Sequence, residues 1–161
     1  MIHLQKTLRL LSDNEIGFVI LGGVAAGLHG STYATYDLDI CYSRDPGNLQ
    51  RLADAISPLH PRLRGAPSGL PFLWDVETLK RGLNFTLTTD WGELDLLGEI
   101  SGVGGYQQAL SVSVGFALWD LEFPVLTLDA LIAAKRAAGR EKDLLVLKEL
   151  EALREATEGL A

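Results

Sequence analysis

Two aspartates separated by one residue, Asp37 and Asp39, place the strongest constraint on this chain. They open a predicted strand that follows an apolar run, Phe18–Leu21, and a turn at Gly22 and Gly23. Because side chains alternate between the faces of a strand, the two carboxylates project from the same face. Like charges this close repel each other, and a hard divalent cation with oxygen ligands relieves the repulsion. We therefore predict a metal site that faces a glycine turn able to approach phosphate.

The length and composition favour one domain. A chain of 161 residues with 47% hydrophobic content forms one ordinary core, so we predict a single domain over residues 1–161. Its core covers about residues 15–126 and its C-terminal helical part about residues 127–158. No apolar run reaches the ~20 residues that cross a bilayer, so no membrane association is expected. The single cysteine, Cys41, makes no internal disulfide, which predicts a cytoplasmic protein.

The charge distribution excludes one class of partner. A net charge of −7 disfavours broad, sequence-independent binding of nucleic acid. Residues 83–134 contain seven acidic side chains and no Lys or Arg, and four cations follow closely. Those cations are Lys135, Arg136, Arg140 and Lys142. A carboxylate-rich body with one compact basic cluster suits a metal ion and a polyphosphate better than a long duplex.

The hydrophobic pattern predicts an α+β fold with a mixed sheet, flanking helices and helices at the C-terminal end. The predicted helices cover residues 3–14, 24–28, 46–57, 76–81, 106–110, 127–138 and 141–155, and the predicted strands cover residues 18–21, 37–42, 83–89, 93–97, 111–115 and 116–123. Residues 59–72, rich in Pro, Gly and Arg, are predicted to be an irregular loop. Thr127 is a suitable N-cap for the helix that Gly139 would end.

A third acid and the missing motifs narrow the chemistry. Asp95 lies between apolar residues on a predicted strand, with Glu93 on the same face. Val24 fills the central glycine position of a dinucleotide fingerprint, which excludes that motif. The sequence contains no phosphate-binding loop of the P-loop type, no zinc-ligand spacing and no nucleophile elbow. The glycine turn and the three acids remain as the candidate chemistry.

This combination resembles the nucleotidyltransferase superfamily, which has the polymerase-β-like fold. The resemblance rests on the apolar strand before Gly22 and Gly23, on Asp37-Leu38-Asp39 and on Asp95. It extends to the late segment 131–143 and covers about residues 15–150. The chain is most similar to the small prokaryotic members, which include minimal nucleotidyltransferases and the toxins of abortive-infection toxin–antitoxin pairs.

The resemblance implies an active site with a metal. Asp37 and Asp39 would hold Mg²⁺ or Mn²⁺, and Asp95 would complete the metal site and help to deprotonate an attacking hydroxyl. The implied reaction transfers a nucleoside monophosphate from an NTP to a hydroxyl of a small molecule, an RNA or a protein. An antitoxin and a second copy of the chain are possible partners.

The resemblance also implies the contacts to the nucleotide. Backbone N–H groups at Gly22 and Gly23 would cradle phosphate, and Thr35, Lys135 and Lys142 would add side-chain contacts. Lys135 occupies a position of the helix where another apolar residue is expected. Two interpretations remain open for Lys135: contact with phosphate, or extension of the ammonium group to the surface.

One departure from the family pattern leaves a second function open. Many relatives carry an arginine in the loop before the paired aspartates, where this chain has Tyr33. The alternative is a non-catalytic nucleotide- or partner-binding module that keeps the fold and the acids without turnover.

Overall fold

The computed structural model describes residues 1–67 and 69–159. The strands are β1 (Phe18–Leu21), β2 (Asp37–Tyr42), β3 (Arg62–Leu63), β4 (Asn84–Thr89), β5 (Gly92–Leu97), β6 (Ser113–Leu118) and β7 (Leu121–Leu126). The helices are α1 (Leu4–Asp13), α2 (Gly22–Leu28), α3 (Pro46–Ile56), α4 (Val76–Arg81), α5 (Tyr106–Ser111), α6 (Leu128–Ala138) and α7 (Leu144–Gly159). Residue 68 of the predicted loop and residues 160 and 161 of the predicted domain lie outside the described residues.

The strands form one mixed sheet in the order β3-β4-β5-β2-β1-β7-β6. At its centre, β2 runs antiparallel to β1 and parallel to β5, and β1 runs parallel to β7. The outer pairs β3–β4, β4–β5 and β6–β7 are antiparallel. This arrangement confirms the predicted α+β class with a mixed sheet and C-terminal helices.

The core forms where the sequence alternates. In β2 and β5 the leucines and isoleucine between the acids are fully buried, and the acids on the opposite face are only half-buried. All four residues of β1 are buried because this strand is central in the sheet and is covered on both faces. Leu131 and Ile132 bury one side of α6, which begins after the N-cap Thr127 and ends at Gly139, as predicted. In the part of the chain that the structure describes, no helix combines the length and apolar character needed to span a membrane.

The strand pair predicted over residues 111–115 and 116–123 is present, but the predicted position of the turn between the two strands is wrong. The hairpin turns at Trp119 and Asp120, whose φ angles of 53° and 59° are typical of a two-residue hairpin turn. The predicted strand ends after Gly115 and before Pro124 are not observed, because these two residues lie opposite each other inside β6 and β7. The strands continue through both residues because the extended backbone accommodates the φ angle of proline and the flexibility of glycine.

Two further boundaries differ from the prediction. The segment 59–72 contains the two-residue strand β3, which pairs with the end of β4. The last helix begins at Leu144, after a 3-10 turn at Glu141–Asp143, and not at residue 141. Both differences lie close to the candidate site described below.

Buried Asn48 on α3 connects β1 with β2, the strand that carries Asp37 and Asp39. Its Oδ1 accepts a hydrogen bond from the N–H of Gly17 at 2.6 Å, and its Nδ2 donates to the carbonyl of Ser43 at 2.7 Å. Gly17 precedes β1 and Ser43 follows β2, so a single amide holds the two strands and α3 together.

Replacing Asn48 with Leu should lower the free energy of unfolding by about 3 kcal/mol, because it leaves buried backbone groups without partners. Urea unfolding measures the change. Gln50→Leu on the exposed side of α3 is the matched control and should change the stability by less than about 0.5 kcal/mol. Equal losses in the two variants would contradict this role of Asn48.

Candidate active site

The parallel register of β2 and β5 brings three acids together. Asp39 lies opposite Asp95 across the two strands, and Asp37 projects from the same face two residues earlier. A carboxylate oxygen of each aspartate lies within 4.8 Å of those of the other two. The three acids predicted from the sequence therefore form one cluster, with each residue half-buried.

Gly22 and Gly23 fit tightly against the residues that carry the acids. Gly22 follows β1 with a φ of 68°, and a Cβ at this position would overlap the carboxylate of Asp39. A Cβ at Gly23 would lie 2.7 Å from the side chain of Thr35. The Thr35 hydroxyl in turn donates to Oδ1 of Asp37 at 3.0 Å. The glycines thus allow close packing around the cluster, and the phosphate contacts expected of Gly22, Gly23 and Thr35 remain predictions.

The pKa values of Asp39 and Asp95 are both raised in this cluster. Burial, followed by repulsion from Asp37 and the neighbouring Asp95, raises the pKa of Asp39 to about 8 from an ordinary value of 3.8. Burial also raises the pKa of Asp95, and a hydrogen bond from Arg64 opposes that rise. At neutral pH and without a bound cation, Asp39 is therefore mainly protonated.

Arg64 is a site residue that the sequence interpretation missed. Its Nη2 donates to Oδ1 of Asp95 and to the carbonyl of Leu87, both at 2.7 Å. Its Nε lies 3.6 Å from Glu93 and has no hydrogen-bond partner among residues 1–67 and 69–159. Arg64 directly follows β3. The alternation of Arg62 and Arg64 around an apolar residue was the one sequence feature that could have indicated a strand within the predicted loop.

The three carboxylates fit a divalent cation. Mg²⁺ and Mn²⁺ prefer oxygen ligands, and the cluster offers three that converge on one point of the sheet. Burial and then repulsion from Asp37 and Asp95 disfavour the charged form of Asp39, and a bound cation would oppose both effects. Asp37, Asp39 and Asp95 are thus suitable metal ligands.

A cavity of about 520 Å³ adjoins the acid cluster. Asp39 and Asp95 line it, together with Gly22 at the end of β1. The other uncharged residues that line it are the polar Asn84, Thr86 and Ser101 and the apolar Leu21, Phe85, Leu96, Leu97, Ile100, Leu131, Ala134 and Ala138. The cavity therefore combines anionic, neutral polar and apolar surfaces beside the candidate metal ligands.

The basic cluster contributes two cations to this cavity, Lys135 and Arg140. Lys135 Nζ donates to Asp143 at 3.1 Å and does not extend freely into water. Lys142 is exposed and lies outside the set of residues that line the cavity, and its contact with the nucleotide remains a prediction. Tyr33 is also exposed and does not line the cavity.

Two solved structures share the fold at low sequence identity. The lincosamide antibiotic adenylyltransferase LnuA, bound to lincomycin, matches with a TM-score of 0.61 and 16% identity over 93% of this chain and 95% of that chain. A Thermotoga maritima protein, provisionally assigned as a nucleotidyltransferase, matches with a TM-score of 0.53 and 16% identity over 99% of this chain and 96% of that chain. No protein-family model matches the chain, and no sequence match to a curated protein was found. The likeness confirms the expected nucleotidyltransferase fold, and the resemblance to toxin members remains a prediction.

The stability of the metal-free protein should fall as the pH rises from about 4 through about 8. Over this range folded Asp39 keeps a proton that the unfolded chain releases, because its pKa in the folded state is about 8 and the ordinary value is 3.8. Melting temperatures across this range, with and without Mg²⁺, measure the effect. Mg²⁺ should stabilise the protein most at high pH, and Asp39→Asn should flatten both dependences. An Asp39→Asn variant with the wild-type pH profile would contradict the assignment.

Replacing Arg64 with Met should lower the free energy of unfolding by about 2 kcal/mol. The loss stays below that of a fully buried pair because the side chains of Arg64 and Asp95 are 26% and 16% exposed. Mn²⁺ should raise the melting temperature more in Arg64→Met than in the wild type, because the variant leaves more negative charge without a partner.

Arg62→Met, two residues earlier on β3, is the matched control, since the Arg62 side chain is 58% exposed and its ion pair is long at 3.8 Å. It should change the stability by less than about 0.5 kcal/mol. Loss of the Mn²⁺ effect in Arg64→Met would show instead that Arg64 is needed to orient Asp95.

Proposed function

We propose that this protein transfers a nucleoside monophosphate from an NTP to a hydroxyl acceptor in a reaction that depends on a divalent metal. The observation that carries the proposal is the convergence of three carboxylates within 4.8 Å beside a cavity that also contains two cations. This is the charge pattern that a metal and a triphosphate together require. The shared fold with LnuA, an adenylyltransferase, supports the same class of reaction.

Asp37, Asp39 and Asp95 are the proposed metal ligands. Mg²⁺ or Mn²⁺ bound by them would supply positive charge that stabilises the transferring phosphoryl group. The role of Gly22 is to let the backbone turn past the Asp39 carboxylate with the required φ of 68°. Any larger residue at Gly22 would displace Asp39 from the cluster.

The triphosphate of the donor would lie between the glycine turn and the cations. Gly22 and Lys135 both line the cavity, so both would contact one anion bound there. Gly23 and Thr35 would support the turn from behind, since they pack against each other. Exposed Lys142 would contribute only to the part of a triphosphate that extends out of the cavity.

The proposed reaction is the attack of the acceptor hydroxyl on the α-phosphate of the NTP. The acceptor oxygen forms a bond to the α-phosphorus, the bond from this phosphorus to the bridging oxygen breaks, and pyrophosphate leaves. The proton of the acceptor hydroxyl passes to Asp95. Burial raises the pKa of Asp95, so its carboxylate is a stronger base than a free aspartate.

We propose a small molecule as the acceptor. A cavity of about 520 Å³ is within the range of small-molecule sites, and its wall carries several apolar side chains. The net charge of −7 disfavours RNA. LnuA, a lincosamide antibiotic adenylyltransferase solved with bound lincomycin, is an example of a protein that binds a small molecule on the same fold.

A second candidate function is a nucleotide-binding module without turnover. The observation in its favour is the ion pair between Arg64 and Asp95, which occupies one oxygen of the third acid. A toxin role with an antitoxin partner is a further proposal that rests on the family resemblance, and a cytoplasmic location is one that rests on Cys41 as the single cysteine. A homodimer formed by the pairing of exposed strands is a separate proposal.

A thermal-shift screen with the four NTPs, each with and without Mg²⁺, tests the proposal. One NTP should raise the melting temperature in a metal-dependent manner, since a ligand at ~100 times its dissociation constant adds ~2.7 kcal/mol of stability. The double variant Asp37→Ala/Asp39→Ala should lose this shift. Asp129→Asn, whose side chain is 76% exposed, is the control and should keep it.

Release of pyrophosphate from the selected NTP then separates the two candidate functions. The enzyme should release pyrophosphate when a panel of hydroxyl-bearing small molecules, lincomycin among them, is supplied. NTP binding without pyrophosphate release with any acceptor would favour the module, and no NTP shift at all would contradict both candidates.

A further inference from the structure

Asp143 is a buried acid that lies behind the cavity and not in its wall. It ends the 3-10 turn between α6 and α7, and only 4% of its surface is exposed. Lys135 and Arg140, the two cations of the cavity, both donate to it. A buried carboxylate is costly unless charged donors satisfy it, so its presence here requires an explanation.

The contacts of Asp143 hold both cations at once. Lys135 Nζ donates to Oδ1 at 3.1 Å, Arg140 Nε donates to Oδ2 at 2.7 Å, and Arg140 Nη2 donates to Oδ1 at 3.3 Å. Although burial opposes it, these hydrogen bonds hold the pKa of Asp143 below its ordinary value. The three side chains together keep a net charge of +1 facing the cavity.

This trio lies close to the acid cluster. Lys135 and Arg140 line the same cavity as Asp39 and Asp95. The charge of Lys135 is close enough to Asp39 to oppose the rise in the pKa of that acid. An anion in the cavity would therefore lie between the carboxylates that bind a metal and the cations that Asp143 orients.

We propose that Asp143 is a positioning residue that holds Lys135 and Arg140 as a two-armed site for the pyrophosphate part of the donor and for the pyrophosphate product. This inference rests on the proposed function. Asp143 itself would contact neither the nucleotide nor the metal. Arg140, which the sequence interpretation did not select, becomes the second phosphate contact beside Lys135.

Attachment of α7 to α6 does not by itself explain Asp143. The ion pair of Arg136 and Glu151, at 2.8 Å, already joins the same two helices on their exposed side. That pair needs no buried charge, and neither of its residues lines the cavity. Asp143 differs from it in holding two cations that both face the candidate active site.

The test is calorimetric titration of the full chain with pyrophosphate in the presence of Mg²⁺. Asp143→Asn keeps the shape of the side chain and removes its charge, and it should weaken pyrophosphate binding about tenfold. The direction of the change in pyrophosphate affinity is informative, because the substitution also makes the surroundings of the cavity more positive. An effect of charge alone would strengthen binding, whereas loss of orientation weakens it.

Matched variants define the mechanism. Glu151→Gln removes the exposed ion pair and should bind pyrophosphate as the wild type does. Asp143→Asn should cost less in a Lys135→Met background than in the wild type, since part of its effect passes through Lys135. Melting curves accompany each titration. If Asp143→Asn fails to fold, Arg140→Gln, at an exposed position, should still weaken binding several-fold.

Three results would overturn the inference. These are wild-type or tighter binding in Asp143→Asn, full additivity of its effect with Lys135→Met, and unchanged binding in Arg140→Gln. In each case the wild type would still bind Mg²⁺ and pyrophosphate, so the proposed function would stand. A wild-type chain that binds neither an NTP nor pyrophosphate would overturn the proposed function as well.

Discussion

Mutual repulsion among three half-buried carboxylates is the interaction on which the rest of this structure depends. Asp37, Asp39 and Asp95 are held together by the parallel pairing of two central strands, so they cannot move apart without breaking the sheet. The apolar side chains between them form the core on the opposite face. The burial that stabilises the sheet therefore forces the acids together on its other face.

The surroundings of the cluster compensate for this repulsion in several ways. Asp39 retains a proton to a pKa of about 8, and Arg64 forms an ion pair with Asp95. Lys135 adds positive charge from α6 across the cavity. A metal ion is the one partner that would satisfy all three acids together, because its charge and its oxygen preference match the whole cluster. Folding thus places three carboxylates together on one face of the sheet.

Acidic and basic side chains both line the cavity. Acids line one part of it, cations held by Asp143 line another, and uncharged polar and apolar residues, most of them on β4, β5 and α6, line the rest. A bound nucleotide would place its phosphates between opposite charges. Two solved structures at 16% identity share the fold, so the backbone arrangement persists although most side chains differ. The individual residues of this cavity must then decide what this chain binds.

The sequence by itself determined the local features of the site. Alternation placed Asp37 and Asp39 on one face of a strand, Asp95 on one face of another, and a turn at Gly22 and Gly23. Thr127 and Gly139 likewise marked the ends of α6 through local backbone chemistry. Such features depend on neighbours within a few positions of the chain, so periodicity and turn preferences suffice to predict them.

Only the tertiary structure decided which distant residues meet. Arg64 reaches Asp95 because β3 pairs with β4 at the edge of the sheet, and nothing in the local sequence around Arg64 indicates that pairing. Asp143 holds Lys135 and Arg140 because the chain turns between α6 and α7, and this turn replaces the first residues of the helix that was predicted to begin at residue 141. Gly115 and Pro124 lie inside β6 and β7, where they are opposite each other in the paired hairpin. In each case the deciding contact joins residues that the pattern of either segment alone does not connect.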